Sequence, residues 1–354
     1  MTRHLWLAIT PHGWGHAGQV APVVNALRAR RPNLRVTVQS PLPREVLASM
    51  LDGPFEHDPM PADVGLVMRS ALAVDLAASH DAYAAFHADF DGRAATLASR
   101  LKAARVDLLL AGVPYLPLLA AHRAGIPGLA LSSLNWADIY RHYFGADAIH
   151  MEMLAAYNRA RAFLQVEPTM PMESLGNRRP LGPVARLGRD RRDELLRRVG
   201  APRDERLVLI SLGGYDMAFP VDRWPRLPGT RFLVRRSWGI AREDIACYDD
   251  LGFSFPDLLR SIDAVVAKPG YGTIAEAGCN GCAMLWVGRG DWPEQQVLVD
   301  WLDRHGRARE IDQQSLERGA IGTALDALLA RPRRSVPPPA GVETAATLMD
   351  ELLA

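Results

Sequence analysis

One of only two lysines in this 354-residue chain stands among glycines, and that loop carries the strongest chemical signal. Lys268-Pro269-Gly270-Tyr271-Gly272-Thr273 follows the apolar run Ala264 to Ala267 and opens a helical stretch containing Glu276. Gly270 and Gly272 let a ligand approach the backbone, and Thr273 offers a hydroxyl. A helix N-terminus aims free N–H groups and partial positive charge at an anion. Lys268 adds a full charge, which makes the loop a cradle for a diphosphate. It is not a Walker loop, having no Gly-Lys-Ser/Thr run, nor a six-residue dinucleotide fingerprint. The competing reading is a tight strand-to-helix turn without a ligand.

A second group, His12-Gly13-Trp14-Gly15-His16-Ala17, ends the first apolar run, Leu5 to Thr10. An imidazole on a glycine loop at a strand end suits a general base; the alternative is a helix-capping or solvated histidine. A third, Gly290-Asp291-Trp292-Pro293-Glu294-Gln295-Gln296, follows the run Met284 to Val287. Carboxylates, amides and an indole suit a sugar, with polar pairs for vicinal hydroxyls and an apolar face for the ring. An acidic helix N-terminus would look the same. Other groups are weaker. His80, His87 and Asp91 read as a solvated helix face rather than metal ligands. Cys279 and Cys282 lack a second Cys/His pair at zinc spacing and read as small packing residues at a helix end.

These groups need elements to hold them. Leu5 to Thr10 reads as a strand, Val20, Val23, Val24 and Leu27 recur at helical spacing, and Leu34 to Val38 alternates, giving a βαβ opening. Val106 to Ala111 and Gly128 to Ser132 read as buried strands on either side of a helix, Leu116 to Ala124, and Ser70 to Ala104 as one or two helices. Pro168 to Pro183, with four prolines and two glycines, reads as a linker. Leu207 to Ser211, Phe232 to Arg235, Ala264 to Ala267 and Met284 to Val287 then repeat the strand and loop logic. The expectation is α/β: two doubly wound, Rossmann-like parallel-sheet domains facing across a cleft, with ligands beyond the carboxyl ends of the strands. The boundaries are 1–178, a linker at 179–186, and 187–336. A last segment, 337–354, carries a helix from Val342 to Leu353 that can pack back on the first domain.

Composition bounds the partners. Hydrophobic residues at 48% and charged residues at 23% mark a folded chain. A net charge of +1 offers no general field for nucleic acid. Arginine supplies 39 of the 41 cations, a compositional skew, so the runs Arg191, Arg192, Arg197, Arg198 and Arg331, Arg333, Arg334 are assigned no partner. Three cysteines argue for a reducing compartment over a disulfide framework. The apolar stretch Leu108 to Ala121 is interrupted by Gly112, Pro114 and Pro117 and is too short for a bilayer, which needs about 20 residues. With no signal-peptide core near the first residues, a cytoplasmic protein is expected.

Taken in order, Ser211-Leu212-Gly213-Gly214-Tyr215, Phe255-Pro256-Asp257-Leu258-Leu259, the Lys268 to Glu276 loop and Gly290 to Gln296 resemble the nucleotide-binding half of GT-B glycosyltransferases. That superfamily includes the UDP-glycosyltransferases and the lipid II N-acetylglucosaminyltransferase. His12 to Ala17 is similar to its acceptor-side half. The resemblance is strongest to the glycosyltransferase-like domain that precedes the kinase domain of plant arabinokinases, and to its free-standing bacterial relatives. It extends through Asp63-Val64-Gly65-Leu66-Val67, Ala73-Val74-Asp75 and Asn135-Trp136-Ala137-Asp138-Ile139-Tyr140, nearly the whole chain.

The resemblance implies that Lys268, Gly270, Gly272 and Thr273 hold the diphosphate of a nucleotide sugar, with UDP favoured. Glu276 would accept the ribose hydroxyls, and Gly213 and Gly214 would line the phosphates from the other side. Backbone from Phe253 to Phe255 would meet the base, while Asp291, Glu294 and Gln295 would read the donor sugar. His16, with His12 on the same loop, would deprotonate an acceptor hydroxyl, and displacement would invert the anomeric carbon with no cofactor and no obligatory metal. Gly112 stands where such enzymes place the Asp that orients the histidine, and Gln19 where close relatives carry Arg. His12 and Asp138 are then the candidates to fix the His16 tautomer. Two further readings follow: a non-catalytic nucleotide-sugar-binding or sensing protein, and a nucleotide-sugar 2-epimerase, which needs carboxylates that no motif supplies.

Overall fold

The computed structural model describes residues 2–12, 14–69, 73–212 and 220–354. The chain divides into two compact units, one of Met1–Val184 with Ala340–Ala354, the other of Ala185–Pro339. The first opens with β1 (His4–Ile9), α1 (Gly15–Arg30), β2 (Arg35–Gln39), α2 (Arg44–Ala48) and β3 (Glu56–Asp58). The Ala-rich stretch resolves into α3 (Leu76–His87), started by an Asp75 carboxylate that accepts from Ala78 N, and α4 (Phe90–Ala103). There follow β4 (Leu108–Gly112), α5 (Leu116–Ala124), β5 (Gly128–Ser132), α6 (Trp136–Phe144), α7 (Ala148–Tyr157), β6 (Ala162–Val166) and β7 (Arg178–Leu181).

Every strand pair is parallel, in the order β3-β2-β1-β4-β5-β6-β7. The runs in β1, β4 and β5 are apolar without alternation because helices cover both faces of such a sheet. The linker expected at 179–186 begins instead inside the sheet: Arg178 to Leu181 pair with Phe163 to Val166. Pro180 is accommodated because β7 is an edge strand, where a missing N–H is tolerated.

The second unit holds α8 (Arg192–Val199), β8 (Arg206–Ile210), β9 (Thr230–Val234), β10 (Ile245–Cys247), α9 (Phe255–Ser261), β11 (Ala264–Ala267), α10 (Tyr271–Asn280) and β12 (Ala283–Val287). It continues with α11 (Gln295–His305), β13 (Ala308–Ile311), α12 (Gln313–Arg318) and α13 (Gly322–Leu329). Its sheet is again parallel, ordered β10-β9-β8-β11-β12-β13. Val208, Ile210, Phe232, Val266 and Leu285 of that sheet pack with Leu325 and Leu328 of α13. Each such side chain contributes about 1.5–3 kcal/mol on full burial.

The last helix, α14 (Ala340–Leu352), belongs to the first unit and lies on α1. Arg30 reaches Glu343 at 2.6 Å and Arg31 meets Asp350, but ion pairs this exposed contribute at most about 1 kcal/mol. Buried Ala345, Ala346, Met349 and Leu353 hold the segment in place. Among the described residues, no helix is long and apolar enough to cross a membrane.

Candidate functional site

In the second unit the strand order reverses between β8 and β11, and open α/β sheets take ligands beyond the carboxyl ends of their strands at such a point. Lys268 follows β11 directly, and Gly270 caps α10. Neither Gly270 nor Gly272 adopts a positive φ, and a Cβ built on either meets nothing within 4 Å. Backbone and packing therefore leave both positions free to carry a side chain; what the glycines keep open is space above the helix N-terminus. Desolvation, and then the nearby Arg289 cation, lowers the Lys268 pKa to about 8. Arg289 lies over the Trp292 ring, its guanidinium carbon 4.2 Å from the centroid. Two neighbouring cations and an open helix N-terminus have the chemistry that suits an anion. Arg289 escaped the sequence reading because one more arginine carries little information in so Arg-rich a chain.

The other residues expected at the nucleotide sugar are placed in different ways. Glu276 is 7% exposed, and its Oε1 accepts from Arg186 Nε at 2.7 Å. Burial raises its pKa, opposed by Arg186. Phe255 opens α9 and is half-buried; Phe253 lies under Arg191, 3.9 Å from guanidinium to ring centroid. Thr273 is half-buried in the first turn of α10. Asp291 is exposed, whereas Glu294 is buried at the residue that precedes α11, with Trp292 Nε1 at 3.4 Å from its Oε2. Gln295 Oε1 accepts from Arg289 N at 2.6 Å, fixing the backbone that carries the second cation. Gly213 and Gly214 lie outside the described residues.

Two outcomes follow at this loop. Nucleotide affinity should be highest below pH 8 and fall by about tenfold by pH 9, as the free protein loses the Lys268 proton that a diphosphate needs. The stability of the unliganded protein should respond oppositely. A buried cation opposes folding below its folded pKa of about 8, and that cost is relieved as pH rises through 8. Calorimetric titration of UDP across pH 6.5–9.5 checks the first; a pH-independent affinity excludes Lys268 as the contact. Separately, Glu276→Ala should weaken UDP by one to a few orders of magnitude, from hydrogen bonds worth about 1.5–3 kcal/mol each, and hardly change pyrophosphate. Equal losses for both ligands would show that the Glu276–Arg186 pair only supports the loop.

In the first unit the order reverses between β1 and β4, with Ile9 paired to Gly112 at the strand ends. His16 sits in the first turn of α1 and is 9% exposed. His12 Nδ1 lies 3.3 Å from the Leu66 carbonyl oxygen. Both rings contact buried Trp136, His12 edge-on at 5.2 Å and His16 tilted at 5.9 Å between centroids. Trp136 Nε1 donates to Asp63 Oδ2 at 2.8 Å. Burial pushes the Asp63 carboxyl up to about 7, opposed by Thr10 and Trp136. Gly65, at φ +65°, lets the 63–67 loop close on His12, whose Cβ would lie 3.3 Å from an added methyl. Asp63 thus anchors the indole against which both histidines rest, a role that a motif without helical or strand periodicity did not announce.

The other expected partners are committed elsewhere. The Asp138 carboxylate accepts from Asn135 Nδ2 at 2.9 Å and Ser174 Oγ at 3.0 Å, and Asn135 caps α6. At Gly112 a Cβ would stand 2.8 Å from Val20 Cγ1, so Val20 fills the space an Asp would need. Gln19 is buried and donates to Ser133 Oγ at 2.9 Å. His87 bonds Glu152 and Tyr115 and stacks on Phe90, and Asp91 pairs with Arg123. Among the described residues no cluster of His, Cys, Asp or Glu could hold a metal ion. Cys279 and Cys282 are buried thiols, and burial pushes Cys282 up to about 12. Tyr140 is a buried ring whose hydroxyl donates to Asp147 at 2.7 Å.

No family model matches the chain. L-arabinokinase of Arabidopsis thaliana is 24% identical over 332 residues, covering 90% of this chain and 31% of that protein, so the chain spans about a third of the length of the curated relative it matches. Among solved structures, the glycosyltransferase of kitacinnamycin has a TM-score of 0.67 at 18% identity, with 100% of both chains covered. UGT89C1 of Arabidopsis thaliana, complexed with UDP, has a TM-score of 0.61 at 13% identity, again over 100% of both. At such identities the likeness is one of architecture, and with its two parallel sheets the chain has the α/β fold of the GT-B glycosyltransferases.

Proposed function

We propose that this protein is an inverting glycosyltransferase that moves a sugar from a nucleotide sugar, UDP-linked by preference, to an acceptor hydroxyl without an obligatory metal. The observation that carries this reading is the Lys268 loop: two cations and two sterically unrequired glycines at the switch point of a sheet whose fold is shared with glycosyltransferases. The leaving diphosphate would take its charge compensation from Lys268, Arg289 and the N–H groups of α10, stabilisation that grows as the glycosidic bond breaks. Thr273 would add a hydroxyl donor, and Glu276 would receive the ribose. His16 would remove the acceptor proton, its ring held by Trp136 and, through it, Asp63.

A sensing protein that binds a nucleotide sugar without turning it over is the second reading. Val20 favours it, because it occupies the place of the expected carboxylate beside the histidine loop. A thermal-shift panel of nucleotide sugars, followed by chromatography of the free sugar released, separates the two. The transferase reading expects a UDP-sugar to raise the melting temperature and to be hydrolysed slowly. Tight binding without turnover of any donor selects the sensor, and a panel in which no nucleotide sugar binds overturns both.

A further inference from the structure

A pocket of about 310 Å³ opens in the second unit on the edge opposite the Lys268 loop. Its walls are the turns that precede β11, β12 and β13, together with the chain after α13, so it lies at the amino ends of the strands. The four residues of β11, at about 3.3 Å each, put roughly 13 Å of sheet between it and Lys268. Five arginines line it, Arg192, Arg260, Arg307, Arg333 and Arg334, with His305 beside them. Against these stand two carboxylates, Asp190 and Asp263.

Asp263 is already paired with an arginine, whereas Asp190 is bonded to a backbone N–H and keeps its charge. Asp263 Oδ2 accepts from Arg192 Nη1 and from Leu207 N, each at 2.8 Å, and Asp190 Oδ1 accepts from Arg192 N at 3.1 Å. Among the described residues, Arg260, Arg307 and Arg334 donate only to carbonyl oxygens, of Asn280, Leu329 and Arg304, which satisfy an N–H without neutralising the charge. Arg333 makes no hydrogen bond or ion pair among the described residues. Arg307 is 7% exposed, and burial together with the neighbouring Arg333 lowers its pKa.

Composition alone does not account for this. Two little-exposed arginines of this unit do have carboxylate partners, Arg231 with Glu205 at 2.9 Å and Arg242 with Asp244 at 2.6 Å. A guanidinium buried beside another opposes folding, an effect that Asp263, already bonded to Arg192, only partly offsets. An anion in the pocket would offset that cost, and guanidinium forks match phosphate oxygens in pairs. We propose that this pocket is a second anion site, separate from the donor loop, for a small phosphate-bearing ligand of pyrophosphate or sugar-phosphate size. Its volume sits at the small end of ligand pockets, about 300–1,000 Å³.

Calorimetric titration of inorganic pyrophosphate into the full chain tests this. The parent, Lys268→Ala, Arg333→Glu/Arg334→Glu and Arg223→Glu are compared. Arg223 lies outside the pocket with its side chain 84% exposed and serves as the charge-reversal control. Lys268→Ala should retain one pyrophosphate site, the double variant should weaken that site by about tenfold or more, and Arg223→Glu should leave it unchanged. Arg333→Gln, which removes no hydrogen bond, should give a partial loss in the same direction and covers the case of a double variant that does not fold. Loss of all binding in Lys268→Ala, or an equal weakening by Arg223→Glu, overturns the proposal. Failure of the donor reading shows separately, as absence of UDP binding in the parent while pyrophosphate still binds at the arginines.

Discussion

Gly272→Val should abolish nucleotide binding and leave the fold standing. The expectation of an intact fold comes from geometry: Gly272 is the second residue of α10, has no positive φ, and its added Cβ would touch nothing within 4 Å. Glycine inside a helix is itself unfavourable by about 0.5–1 kcal/mol relative to alanine, so valine there costs little or stabilises slightly. The loss of binding comes from the same open space. Two branched methyls would stand where a diphosphate must approach the α10 N–H groups, and neither Lys268 nor Arg289 can hold the anion at a distance. An unchanged melting temperature with at least about a hundredfold weaker UDP, or 2.7 kcal/mol, is the expected pair of results. A stable variant that binds UDP as the parent does would remove the loop from the donor site.

His16→Ala should lower sugar transfer by at least about 10²-fold with nucleotide affinity unchanged, since general-base catalysis contributes typically about 10²–10⁴-fold. His16 and the Lys268 loop belong to different units of the chain, so the effects of substituting them should separate cleanly. Gly112→Asp supplies the converse measurement. Alone it should destabilise by about 1–3 kcal/mol, because its Cβ would meet Val20 Cγ1 at 2.8 Å in a closed interior. Paired with Val20→Ala it gains room, and a rise in donor hydrolysis would show that a carboxylate at 112 can orient the histidine. Parental transfer by His16→Ala would end the base assignment.

The sequence by itself determined the period and punctuation of this protein. Unbroken apolar runs such as Ala264 to Ala267 and Gly128 to Ser132 became strands at those residues, because a strand covered on both faces needs no alternation. The Lys268 loop was legible for a local reason: strand end, glycines and helix start are neighbours in the chain. Edge strands were not. β3, β7 and β10 are short, and β7 carries a proline, so their identity rests on the strand each one pairs with. What only the tertiary structure decided is what meets across long separations. Trp136 and His16 come together through the order of β1, β4 and β5, with Asp63 brought in by the chain after β3, Val20 takes the space at Gly112, and Gln295 is drawn into holding Arg289. The arginine pocket follows the same rule: three turns and a tail distant in sequence share one edge because every strand of that sheet runs parallel. A chain records which residues it carries and at what local spacing, but whether a charge finds its counter-charge depends on which elements the sheet places side by side.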